Sequence, residues 1–229
     1  MTEESRPRFF GRRSGKALRQ QALGLLEDLL PRLAIGVPGR GDTLDPASLF
    51  PHPVTEIWLE VGFGGGEHLA EQAAAYPLVG MIGCEVFRNG IASLLGHIST
   101  NALENIRIFH EDARLLLPAL PEASLARVFV LFPDPWPKRS HAERRFVGPA
   151  NLDAVARLLK DGGELRVASD DPTYAAWATR QLGQHAAFEP VLVTVERDLL
   201  PSDWPQTRYE RKCLAGRAPT FFQYRRKAR

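Results

Sequence analysis

From Pro53 onward, short runs of apolar residues alternate with longer stretches in which apolar side chains recur every third or fourth position. The short runs, residues 57–61, 79–84, 106–109, 128–132 and 164–168, have the length and bulk of buried strands. The longer ones, 67–75, 87–99, 114–117 and 151–160 with Gly162 as its stop, predict helices, and 173–184 predicts a further one. Such alternation implies βαβ units and a mostly parallel sheet covered on both faces. Residues 191–195 and 220–224 are β-rich without a comparable helix between them, which predicts an antiparallel pair closing one edge. Upstream, Leu18, Ala22, Leu25, Leu26, Leu29, Leu30 and Leu33 fall at helical spacing, and Pro31 kinks or ends that helix. Residues 36–53 form a Gly/Pro/Asp loop. Residues 1–17 read as a flexible basic arm, and 18–229 as a single doubly wound α/β domain of Rossmann-like type, mostly parallel with an antiparallel edge strand.

Composition narrows the class. With 44% hydrophobic and 24% charged residues, the 229-residue chain falls in the globular range, which excludes disordered, collagen-like and membrane-spanning proteins. Cys84 and Cys213 form no disulfide framework, and the first residues hold no apolar stretch of signal-peptide kind, so a cytoplasmic protein is expected. The net charge of +2 hides a division. Residues 1–20, 138–145 and 207–229 together carry +14, and the remainder carries −12. An acidic body with basic appendages suits a protein that grips a polyanion at its periphery, with the arm and the C-terminal tail supplying phosphate contacts.

Glu60-Val61-Gly62-Phe63-Gly64-Gly65-Gly66 lies where the first strand turns into a helix. Glycine at 62, 64 and 66 with Glu at 67 departs from the dinucleotide fingerprint, so the loop suits a ligand with a positive centre better than a pyrophosphate. The second strand ends in Cys84-Glu85, where a carboxylate can accept from both hydroxyls of a ribose. After the third strand come Glu111 and Asp112, placed for an adenine amino group. Carboxylates after three successive strands imply an adenosine-containing ligand without phosphate, and S-adenosylmethionine fits because its sulfonium is attracted to them. No histidine pair has metal-ligand spacing, so no metal is expected.

After the fourth strand the chain reads Leu131-Phe132-Pro133-Asp134-Pro135-Trp136-Pro137-Lys138, three prolines fixing one carboxylate and one indole at the switch point. Here the sequence resembles the bacterial tRNA (guanine-N7-)-methyltransferases, class I S-adenosylmethionine-dependent enzymes. EVGFGGG at 60–66, GCEVFRNGI at 83–91, HEDA at 110–113, LFPDPWPKRSHAERRFV at 131–147, ASDDPTYA at 168–175 and TRYERKCLAGRAP at 207–219 carry the resemblance. Glu143 departs from it, standing where relatives usually carry a basic residue.

The resemblance implies that Glu60, Glu85, Asp112 and Asp134 contact S-adenosylmethionine, with Gly62 and Gly64 in the cofactor loop, and that Asp134 is catalytic. It implies that Lys138, Asp170 and Thr207, Arg208, Tyr209 and Glu210 contact the substrate, and that Arg139, Arg144 and Arg145 lie against RNA. The expected reaction is methylation of guanosine N7 in tRNA, with the variable-loop guanosine at position 46 as target. Two other readings stand beside it: a methyltransferase acting on DNA or protein, for which the late TRYE element has no counterpart, and a non-catalytic RNA-binding module on the same fold.

Overall fold

The computed structural model describes residues 11–207, 210 and 217–229. Helices α1 (Gln20–Asp28) and α2 (Leu30–Leu33) precede β1 (Glu56–Val61), α3 (Glu67–Ala75), β2 (Val79–Cys84), α4 (Arg88–Asn101) and β3 (Ile106–Phe109). There follow β4 (Leu125–Leu131), α5 (Pro149–Leu158), β5 (Leu159–Ser169), α6 (Pro172–Gln184), β6 (Phe188–Thr194) and β7 (Thr220–Arg226). The strands form one seven-stranded sheet in the order β3-β2-β1-β4-β5-β7-β6. The first five run parallel, and β7 runs against both β5 and β6.

Side chains alternate across each strand, so neighbouring residues enter different cores. Leu59, Ile82, Val128, Val130 and Val167 face α5 and α6, where Leu152, Val155, Tyr174 and Ala178 meet them. Trp58, Met81, Phe129 and Leu131 face α1, α3 and α4, against Leu26, Leu69, Leu94 and Leu95. Burial on both faces explains the near-continuous apolar runs of the central strands.

The element ends follow local chemistry. Pro172 opens α6, and the Asp171 side chain before it accepts from the Tyr174 amide at 2.8 Å. Gly66 precedes α3 with φ +80°, and a Cβ there would lie 2.7 Å from the Leu94 side chain. Only glycine combines that conformation with that contact.

Four expectations shift. The helix expected over 18–33 breaks two residues before the proline, at Leu29, because Pro31 sits in the first turn of α2, where its missing N–H costs nothing. Residues 114–117 form no α-helix but two 3₁₀ turns, Ala113–Leu115 and Leu117–Ala119, with Pro118 opening the second. Helix α5 ends at Leu158 and β5 starts at Leu159, but its register jumps from Leu159 opposite Leu125 to Glu164 opposite Arg127, so Lys160 to Gly163 bulge out of the pairing with Gly162 at φ +78°. Strand β4 stops at Leu131, since Phe132 takes a left-handed φ of 51°.

The described residues of the basic ends make specific contacts with the domain. In the arm, the Arg13 carbonyl accepts from the Arg88 amide at 2.9 Å, and the Asn89 side chain bonds the Gly15 amide and the Lys16 carbonyl, both at 2.7 Å. At the other end, Arg226 donates to the Ala156 carbonyl, while Arg229 donates to the carbonyls of Arg157 and Leu159 and pairs with Glu122 and Asp161. These cations cap the end of α5, a use of positive charge that the helix dipole favours.

Candidate active site

A cavity of about 500 Å3 opens where the strand order reverses between β1 and β4. Gly62, Gly64, Glu85, Asp112 and Asp134 all line it, so five of the expected cofactor residues meet there although they lie on four separate turns. Trp136 and Arg144 complete one wall, and Gly11 and Arg12 of the arm reach its rim. Arg13 pairs with Glu111 at 3.3 Å beside them.

The glycine loop is tied to β2 through Glu85. Its Oε1 accepts from the amides of Val86 at 2.8 Å and Phe87 at 2.9 Å, and its Oε2 from the Gly64 amide at 2.9 Å. A carboxylate offers about four acceptor positions, so roughly one remains. Of the two ribose hydroxyls expected from sequence, Glu85 can accept one without releasing a backbone N–H. Burial raises the Glu85 pKa; the amides of Phe87, Gly64 and Val86 oppose that rise, and the nearby negative charge of Asp134 adds to it. Gly90 brings α4 against the same loop, where a Cβ would lie 2.1 Å from the Gly64 carbonyl oxygen.

Asp112 is engaged by Arg114, which the sequence reading missed. The Arg114 Nε lies 3.0 and 3.2 Å from its two oxygens, a terminal nitrogen lies 2.6 Å from Oδ2, and the Arg114 amide donates to Oδ1 at 3.0 Å. Glu60 is corrected more fully. It does not line the cavity: its side chain is 3% exposed, with Oε2 2.7 Å from Nδ1 of His68 on α3. In this arrangement it is engaged by α3 beneath the loop, outside the cavity lining.

Asp134 stands exposed at the cavity mouth, in a loop that leaves β4 with left-handed backbone at Phe132 and Trp136. Each such non-glycine residue costs on the order of 1 kcal/mol, so something must hold the loop. Arg145 does. Its side chain is buried, donating to the Pro135 carbonyl at 3.0 Å and the Trp136 carbonyl at 2.8 Å, with its guanidinium 4.9 Å from the Trp177 ring. The expected RNA contact by Arg145 is therefore replaced by a structural brace. Arg144 lies 5.1 Å over the Trp136 ring at the cavity wall, and Lys138 and Arg139 are exposed on the adjoining turn.

Among the described residues, Asp170, Thr207 and Glu210 do not line the cavity. Asp170 is partly buried just past the end of β5. The Thr207 amide donates to the Glu210 carboxylate at 2.8 Å, the Glu210 amide donates to the Thr207 hydroxyl at 3.3 Å, and Glu210 also pairs with Arg197. This reciprocal arrangement is a capping box. Arg208 and Tyr209 lie outside the described residues. Among the described residues no group of three or more His, Cys, Asp or Glu could hold a metal ion, and no helix is long and apolar enough to cross a membrane.

A sheet of this order, with acidic residues after successive strands around one switch-point cavity, defines a Rossmann-like methyltransferase. A 16S rRNA methyltransferase, KamB, shares the fold with a TM-score of 0.56 at 14% identity, over 76% of this chain and 89% of that one. The family model described as "Putative methyltransferase" matches residues 54–222. A protein of Paramagnetospirillum magneticum named tRNA (guanine-N(7)-)-methyltransferase is 66% identical over 98% of this chain and 94% of its own. One of the same name from Rhodospirillum rubrum is 52% identical over 100% of this chain and 90% of its own. The chain is an enzyme of methyl transfer and belongs to the bacterial tRNA (guanine-N7-)-methyltransferase family.

Proposed function

We propose that this protein transfers a methyl group from S-adenosylmethionine to N7 of a guanosine in tRNA, the variable-loop guanosine at position 46, and works in the cytoplasm. The convergence of Glu85, Asp112 and Asp134 with the glycine loop on one cavity carries the reading. That cavity has the size of a cofactor site, and its carboxylates suit a cationic ligand better than a phosphorylated one. The names of the similar proteins supply the nucleotide.

Glu85 would take a ribose hydroxyl, Gly62 and Gly64 would let the backbone come close, and Asp112 would meet the adenine once Arg114 yields. When bound, the cofactor would supply a sulfonium-activated methyl group for in-line transfer to N7. Guanine N7 presents an in-plane lone pair and no proton at neutral pH, so no residue here acts as a general base. Catalysis rests on positioning and on charge. Asp134 orients the base and stabilises the positive charge that the methylated guanine acquires. Asp170, Thr207 and Glu210 would hold the base edge, Lys138 the nucleotide, and Arg139 and Arg144 nearby phosphates.

The test is incubation with labelled methyl donor and unmodified tRNA, followed by chain cleavage specific to 7-methylguanosine and mapping of the cut. Label at N7 of position 46 is expected, and Asp134→Asn should cut the single-turnover rate at least about a hundredfold. Label at another atom would overturn the substrate reading. An unchanged rate would remove Asp134 from the chemistry.

A further inference from the structure

The face of the sheet turned toward α3 carries a layer of charge that the cofactor cavity does not use. Phe129 of β4 sits beside Arg166 of β5, and Arg127 beside Glu164, in the strand register. Arg166 is 1% exposed. Its Nε donates to Glu164 at 3.0 Å, and its guanidinium lies 5.3 Å from the Trp204 ring and 5.9 Å from the Phe129 ring. Arg127 lies 4.2 Å over Trp58. Asp203, from the coil after β6, comes down onto both arginines. It pairs with Arg127, and its Oδ1 lies 2.9 Å from an Arg166 terminal nitrogen. The Asp203 carbonyl accepts from Arg166 at 3.2 Å and from Gln72 of α3 at 2.8 Å. Two arginines and two carboxylates leave the layer neutral.

This docking fixes one end of a short segment. Trp204 is buried with its ring edge against Phe221, and its carbonyl accepts from Arg197 at 2.8 Å. Arg197 also holds Glu210. From Asp203 to Glu210 the chain is therefore pinned at the sheet by one ion-pair cluster and at Glu210 by a second. Buried ion pairs contribute little net stability, because desolvation offsets their attraction. The rigid arginine fork instead imposes geometry.

We infer that Asp203 is a positioning residue for substrate recognition: by docking on Arg127 and Arg166 it sets where Thr207 and Glu210 stand for the incoming guanosine. This rests on the proposed function, which gives Thr207 and Glu210 their substrate role. Desolvation would lift the Asp203 pKa, yet Arg127 and Arg166 together hold it below the usual carboxylate value, in keeping with a permanently ionised anchor. The cofactor loop is fastened by backbone amides elsewhere, so the two halves of the site should respond separately.

The experiment compares Asp203→Asn and Asp203→Glu with the wild type. Asparagine removes the charge, and glutamate keeps it but lengthens the arm by one methylene. Both should lower kcat/KM for tRNA about tenfold or more through KM, while calorimetry gives S-adenosylmethionine affinity within twofold of wild type. If one variant fails to fold, the other decides alone. A glutamate variant with wild-type kcat/KM, or cofactor affinity falling in step with tRNA use in either variant, would overturn the inference in favour of a purely structural ion pair. A wild-type protein that methylated no guanine N7 would refute the proposed function, and retention of tRNA on filters by wild type and variants would then decide on Asp203, loss of more than threefold supporting it and an unchanged value refuting it.

Discussion

The two halves of the site are fastened by different chemistry. On the cofactor side, Glu85 takes three backbone amides within two residues of itself or on the facing turn, and glycines let α4 and the loop touch directly. On the side proposed for the substrate, the loops are held by long cationic side chains: Arg145 under the Asp134 loop, Arg166 and Arg127 under Asp203, and Arg197 under Glu210. Backbone fastening gives a fixed cradle for a ligand of constant shape. Side-chain fastening allows a segment to be placed far from its sequence neighbours, at the cost of depending on single guanidinium groups.

The contrast can be broken at either end. The largest effect is expected from Gly66→Val, which adds a side chain to a left-handed residue 2.7 Å from Leu94. About 3 kcal/mol should be lost, lowering the thermal midpoint by roughly 6–12 °C for a domain of this size and abolishing calorimetric cofactor binding. Unaltered binding would show the loop to be far more pliant than its contacts imply. Arg145→Met keeps the bulk against Trp177 but removes both donors from the Asp134 loop. The methylation rate should fall about tenfold, roughly 1.4 kcal/mol, with cofactor affinity within threefold. A parallel loss of both would tie the halves together.

The smallest effect sharpens the cofactor side through pH. Because burial raises the Glu85 pKa, acid protonates it earlier than an exposed glutamate, and a protonated carboxyl loses acceptor capacity. Lowering the pH from about 8 to about 5 should therefore weaken cofactor binding several-fold, while Glu85→Gln binds more weakly throughout and shows a flatter profile. The sign for folding is opposite. A carboxyl raised in the folded state favours folding most below its unfolded pKa, and that contribution is lost as pH rises through the folded value.

This division also explains what could be read from the chain alone. The strands, the glycine loop and the carboxylates at strand ends were legible because each signal is local: a run of four to six mostly apolar residues with glycine or acid within the next two positions. Asp203 carries no such mark, since its partners Arg127 and Arg166 lie 76 and 37 residues away. Arg145 was misread for a related reason. In a run of cations nothing distinguishes the one that turns inward to two carbonyls, and only the strained loop beside it requires such a donor. Asn89 lies inside one recognised motif and Arg114 just past the end of another, the first bonding the backbone of a distant arm and the second occupying a carboxylate assigned to a ligand.

The passage from Leu158, the last residue of α5, to Leu159, the first of β5, has no intervening residue. The slack comes directly afterwards: pairing jumps from Leu159 opposite Leu125 to Glu164 opposite Arg127, which leaves Lys160 to Gly163 as a bulge with Gly162 at φ +78°. Chain length is therefore constrained beyond that bulge, where one residue inserted between Leu165 and Ala168 would slip β5 by one place and carry its inward side chains to the wrong face. Inserted domains, permuted termini and engineered loops should find tolerance in the long coil between Leu33 and Glu56, and none within that paired stretch.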